Sequence, residues 1–212
     1  SHRIQHHDRE VDDMTTQTRN EVLLEGTPLE TPSLSHENHS TRFYRFPLQV
    51  PRLSGQVDTL PVLVPESMLP HVAKGADIRV QGQLRSFNNR SGVGSRLVLT
   101  VYAQRLSLGL DEPHNQIFLS GTLCKPPVFR RTPLGRSICD LMLASPRKYG
   151  RADYLPVIAW GQLAVRAGRL QVGDPLALEG RVQSRTYHKV TDLGTEERVA
   201  YEVSMMHLLE LP

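Results

Sequence analysis

The sequence is poor in cysteine, poor in aromatic residues and free of long apolar runs. Cys124 and Cys139 are the only cysteines in 212 residues, so neither a disulfide framework nor a cysteine-rich zinc site is expected, and both read as free thiols in strands. No apolar stretch approaches the roughly 18 residues of a membrane span, and the N-terminus carries no apolar leader, so the expected address is cytoplasmic. Catalytic signatures are missing as well: there is no Gly-rich phosphate loop, no nucleophile elbow and no triad signature. HENH at His36–His39 spaces its histidines three apart, whereas the zinc-protease helix needs them four apart with the Glu between. It reads as a solvated loop. The chain is therefore expected not to be an enzyme, with no catalytic residue, no metal and no cofactor.

What is present is an ordinary folded composition, 39% hydrophobic and 22% charged, with a net charge of +3 and pI near 9.0. That modest basic balance is compatible with a polyanionic partner, but only its distribution along the chain can point to one. The first residues, to about Arg19, are polar, with histidines at His2, His6 and His7. They read as a solvated tail.

Beyond the tail, apolar runs rich in Val, Leu and Ile alternate with Gly and Pro punctuation, the pattern of an all-β chain. The pattern is written twice. NEVLLEGTPL from Asn20 returns as NQIFLSGTLC from Asn115, 95 residues on, and GADIRVQGQLRSF from Gly75 returns as GDPLALEGRVQSR from Gly173, 98 residues on, with Gly82 and Gly180 in step. RLVLTVYAQRLSL from Arg96 answers to RVAYEVSMMHLLEL from Arg198, each after a polar tip: Asn88, Asn89, Gly92 and Gly94 in one copy, Asp192 and Gly194 in the other. Each half reads as three strands, a short helix and a two-strand hairpin, the order of a five-stranded Greek-key OB barrel. The expected organisation is a tail over 1–19, a first OB-fold domain over 20–110, a linker DEPH over 111–114 and a second domain over 115–212. Helices are expected over Pro65–Gly75, weakened by Pro70, and over Gly161–Gln171. Gly26 and Gly121, in mid-strand, fit the bends a small barrel needs.

Charge is concentrated in the second half. Between Lys125 and Arg151 stand Lys125, Arg130, Arg131, Arg136, Arg147, Lys148 and Arg151 against one acid, Asp140. On an OB barrel this segment forms the first hairpin and the loop leaving the second strand, where cations can track phosphates. Tyr154, Trp160 and Tyr187 surround it, and Trp160 is the only tryptophan. In an extended DYLPVIAW segment, Tyr154 and Trp160 point to one side by the period of two, as base stacking requires. In the register of the repeat, Thr59, Pro65 and Asn89 occupy the places of Tyr154, Trp160 and Tyr187. The first half therefore lacks those rings. Its own aromatics are Phe43, Tyr44, Phe46, Phe87 and Tyr102, and its basic set is Arg79, Arg85, Arg90, Arg96 and Arg105. Phe87 with Arg85 is the binding candidate there; a scaffold or subunit contact is the alternative role.

NQIFLSGTL, FRRTPLGRSICDLMLA, ADYLPVIAWGQLA and GDPLALEGRVQSRTY, in that order from Asn115 to about Leu211, resemble the bacterial single-stranded-DNA-binding protein family. The resemblance implies rings at Tyr154, Trp160 and Tyr187 that stack on bases, and a phosphate-contacting surface at Arg185 and the basic first hairpin with Phe129 at its head. FYRFPLQVPRLSGQVDTLPVLVPE and VQGQLRSFNN in the first half are similar to a shorter, divergent class described in the same terms. The implied function is sequence-independent binding and protection of single-stranded DNA in support of replication, recombination or repair, at the nucleoid. The typical member carries one OB domain, assembles as a homotetramer and ends in an acidic tail that recruits replication and repair enzymes. A tandem chain reaches four domains as a homodimer, and since this sequence stops at HLLELP, recruitment through such a tail is not expected. Two rival readings stand beside it: an OB-fold protein-interaction module, such as a primosome or recombination accessory factor, and an RNA-binding protein, since OB grooves accept either nucleic acid.

Overall fold

Proline and glycine decide where strands break and where they bend. The computed structural model describes residues 18–88 and 97–209; the tail histidines, Asn89, Arg90, Gly92, Gly94 and Arg96 lie outside the described residues. The first half runs β1 (Asn20–Pro28), β2 (Ser33–Asn38), β3 (Thr41–Pro51), β4 (Val57–Pro65), a 3-10 turn over Glu66–His71, β5 (Ile78–Asn88) and β6 (Leu97–Leu108). The second runs β7 (His114–Leu123), β8 (Val128–Arg131), β9 (Ser137–Pro146), a 3-10 turn over Lys148–Gly150, β10 (Ala152–Trp160), α1 (Gln162–Ala167), β11 (Pro175–Thr191) and β12 (Gly194–Leu209).

Each half thus holds six strands where the repeat predicts five, and the extra one is a piece of the first. Thr122 and Leu123 of β7 pair with Ala144 and Leu143 of β9, and Val128–Arg131 of β8 rejoin the same partner from Asp140 to Ser137. Pro126 and Pro127 stand in the gap, with no N–H to give the ladder, so the chain leaves the sheet and returns. Pro32 stands in the matching gap between β1 and β2, both of which pair with β3. The helices fall inside the expected spans but are shorter. Pro70 keeps the first as a 3-10 turn with no buried residue, while α1 buries Ala164 and Ala167. HENH lies not in a loop but on exposed β2 and the turn after it.

The strands form one continuous 12-stranded order, and the additional pairings β1–β3 and β7–β9 close each half into a barrel. Closure needs Gly26, where β1 passes from β5 to β3; a Cβ there would lie 2.2 Å from the Gln49 carbonyl oxygen. Gly121 does the same for β7. Inside, Leu24, Phe46, Leu48, Leu60 and Leu84 fill one barrel and Ile117, Leu119, Leu143, Leu155 and Leu178 the other, all fully buried. Each such side chain contributes roughly 1.5–3 kcal/mol by leaving water.

The barrels join edge to edge through antiparallel β1 and β7, with Val22 opposite Ile117. These two residues are equivalent positions of the repeat, so an approximate internal two-fold passes between them. On one side of that axis Asp58 accepts a hydrogen bond from Ser184, and on the other Asp153 accepts one from Ser86.

Candidate nucleic-acid interface

The second barrel presents one outer face built from alternate residues of its strands. β10 pairs with β9 without a break, from Ala152 opposite Pro146 to Trp160 opposite Ile138. Leu155, Val157 and Ala159 turn inward to the core, and Tyr154 and Trp160 turn outward. Tyr154 is 48% exposed and Trp160 half-buried. The guanidinium of Arg136 lies 4.7 Å from the centre of the Trp160 ring, placed there by a turn in which Thr132 and Arg136 exchange hydrogen bonds. Arg130 stands in the same cross-strand row as Ile138 and Trp160 and pairs with Asp140 at 3.1 Å.

The long β11–β12 hairpin carries the face further. Its pairing puts Gln183, Arg185 and Tyr187 on one side, joined to β10 by the parallel contact of Ile158 with Ser204. Arg185 lies 5.8 Å from the Tyr187 ring centre and 3.3 Å from Glu202. A cation held against an aromatic face is partly pre-ordered, and a flat base can add to the same stack.

The structure does not bring every candidate to this face. Phe129 and Arg131 alternate onto the opposite side of β8, and the Phe129 ring packs against Gly168 at the end of α1, where an added Cβ would meet it at 3.3 Å. Lys125 is exposed in the proline break. Arg147, Lys148 and Arg151 gather elsewhere, in a cleft at the barrel junction that Arg85 also lines. Arg79 of the first-half basic set is committed to Glu25 at 2.7 Å.

On the first barrel Phe87 is 52% exposed, and a ring set that the sequence reading did not assemble lies on the same outer face. His36 stacks on Phe43 with centroids 5.0 Å apart and planes within 16°, Phe43 lies 6.0 Å from Tyr102, and the Arg85 guanidinium sits 5.3 Å from the Tyr102 ring. Burial, and then the nearby charge of Arg147, holds Arg85 below the usual guanidinium range. Phe43 is opposite Pro65, the position that answers to Trp160, so the missing ring is supplied from the neighbouring strand. Strand pairing was the signal needed to see this. Tyr149, 98% exposed beside Arg147 and Lys148, was also passed over, although it stands inside the basic run.

Fold and face together define a tandem OB-fold protein with rings and arginines on the outer face of each barrel. Residues 114–209 match the Single-strand binding protein family. A single-stranded DNA-binding protein from Thermus thermophilus is 35% identical over 98 residues, 44% of this chain and 36% of that one. Single-stranded DNA-binding protein 1 from Clostridium acetobutylicum is 31% identical over 84 residues, 36% of this chain and 76% of that one. Across both barrels, the crystal structure of the wild-type single-stranded DNA binding protein from Thermus aquaticus is similar with a TM-score of 0.74 and 26% identity, covering 93% of this chain and 94% of that one. The chain belongs to the single-strand binding protein family. The matches span between 36% and 55% of the length of most of the curated relatives. Among the described residues, no helix is long and apolar enough to cross a membrane.

Proposed function

We propose that this chain binds single-stranded DNA without sequence preference, bases stacking on Tyr154, Trp160 and Tyr187 while Arg136, Arg185 and the neighbouring cations hold phosphates. The observation that carries the reading is the Arg136–Trp160 stack on an outer face that also carries Tyr154. Every base offers a π face, so rings worth about 1–3 kcal/mol per base give affinity with little discrimination. The first barrel takes part through Phe43, Tyr102 and Phe87. Protection of single strands during replication, recombination or repair is the role that fits, with two chains supplying four barrels.

Trp160 makes the test direct, since any quenching of tryptophan fluorescence reports on this face. The chain is titrated with oligo(dT) and oligo(rU) at several salt concentrations. Tight, salt-sensitive quenching by oligo(dT), with affinity lowered about 5- to 150-fold by Trp160→Ala as followed on a labelled oligonucleotide, is expected. Absence of binding at low salt overturns the reading in favour of a protein-binding scaffold, and a strong preference for oligo(rU) reassigns it to RNA.

A further inference from the structure

The internal two-fold places two equivalent clefts at the junction of the barrels, and they have diverged in charge. One, of about 650 Å³, is bordered by Arg147, Lys148 and Tyr149; the other, of about 630 Å³, has Arg52, Leu53 and Ser54 at the matching positions, 95 residues earlier. In the first, among the described residues, Arg85, Arg147, Lys148 and Arg151 face a single carboxylate, Asp153, which is 1% exposed. In the second, Arg52 and Arg181 are offset by Glu112 and Glu179. The two equivalent arginines are also held differently. Arg52 grips Asp58 with two nitrogens at 2.6 and 2.7 Å, whereas Arg147 approaches Asp153 with Nε at 3.6 Å and keeps 36% of its side chain exposed.

The basic cleft also lies between the two ring faces. Asp153 immediately precedes Tyr154, whose N–H donates to the Ser86 hydroxyl at 2.8 Å, one residue before Phe87. Arg85, on the other wall, stacks on Tyr102. A chain of phosphates along an extended strand would move from ring face to ring face over positive charge on this side, and over neutralised charge on the other.

We infer that a single strand crosses from the second barrel to the first through the cleft of Arg85, Arg147, Lys148 and Arg151, and that the equivalent cleft across the two-fold does not carry it. This rests on the single-strand reading above and gives the bound strand one route over a nearly symmetric molecule.

The test is a Lys148→Gln/Arg151→Gln double variant, chosen because both side chains are exposed. Its affinity for oligo(dT) is measured against salt with a strand of roughly 12 nucleotides, enough for one barrel, and one of roughly 40. For the long strand, the salt slope falls by about 1.4, two phosphate contacts at about 0.7 each, and affinity drops about tenfold or more. The short strand loses clearly less, and Arg181→Gln, in the opposite cleft, leaves the long-strand slope in place. An unchanged long-strand slope in the double variant, equal losses at both lengths, or an equal loss from Arg181→Gln overturns the crossing. Absence of binding by the wild-type chain at either length instead overturns the single-strand reading with it, so the two failures are told apart by the wild-type titration.

Discussion

Ser184 donates both its backbone N–H, at 3.0 Å, and its hydroxyl, at 3.1 Å, to one carboxylate oxygen of Asp58 in the other barrel. Asp153 and Ser86, their equivalents across the two-fold, repeat the backbone bond at 3.0 Å. The clamp is reciprocal, but its halves are unequal. Asp58 is fully buried and also holds Arg52; burial alone would raise its pKa, and the Arg52 and Ser184 bonds bring it below the usual carboxylate range. Asp58→Ala strands a mostly buried guanidinium and two donors, a loss of about 3–5 kcal/mol. Asp153→Ala releases the half-exposed Arg147 and one amide, a loss of about 1–3 kcal/mol. Urea unfolding of the two variants measures the difference, and equal losses would contradict the asymmetry.

Glu25 ties the segment between the barrels to β1, accepting N–H groups from Leu110 and Glu112 and the Arg79 guanidinium. Burial pushes its pKa up, but these bonds win and lower it to about 2. A folded pKa below the unfolded one means the stabilisation is complete above about pH 4.5 and is lost as pH falls toward about 2. Asp77, raised by burial and by Glu25, acts in the opposite sense and offsets part of the slope. The expected result is a urea midpoint that drops as pH falls from about 4.5 toward about 2 in the wild type, and a Glu25→Gln variant that is weaker at pH 7 with a shallower acid slope.

Gly82 and Gly180 sit at matched bulges, where β5 passes β6 and β11 passes β12. An added Cβ would lie 1.9 Å from the Tyr102 carbonyl oxygen or 2.2 Å from that of Ser204. Backbone cannot swing aside as a side chain can, so Gly82→Ala and Gly180→Ala should each cost several kcal/mol, beyond the usual range for surface changes. Thermal unfolding that moved by less than about 3 °C would show that the strands part more easily than this geometry implies.

The first barrel's rings make a separate prediction, because Trp160 is not among them and continues to report on the second barrel. Phe43→Ala and Tyr102→Ala should each weaken a long oligo(dT) by about 1–3 kcal/mol while a labelled strand short enough for one barrel still quenches Trp160. If neither change affects the long strand, the first barrel is a scaffold rather than a binding surface.

Much of this was readable from residues alone. The double appearance of NEVLLEGTPL and NQIFLSGTLC, with Gly82 and Gly180 in step, was enough for two OB barrels. A barrel's bends fall where only glycine fits, so its frame is inscribed locally. The pairing of Tyr154 with Trp160 followed from an even spacing in one strand, which fixes the side of the sheet without reference to any other strand. Phe129 and Arg131 lie on the other side of β8 for a reason no short window carries: their side depends on where the chain rejoins β9 after Pro126 and Pro127.

Sequence by itself determined the strand count per barrel to within the proline breaks, the bends and the second barrel's ring pair, because each depends on period, proline or glycine within a short window. Tertiary structure alone decided which charges remain available to a ligand. Arg79 and Arg52 are spent on Glu25 and Asp58, residues 54 and 6 positions away, while Arg85 and Arg147, equally basic in the sequence, meet across a barrel junction that forms only when β1 pairs with β7. Coulomb energy depends on distance through space and on burial, and neither is written in the order of the residues.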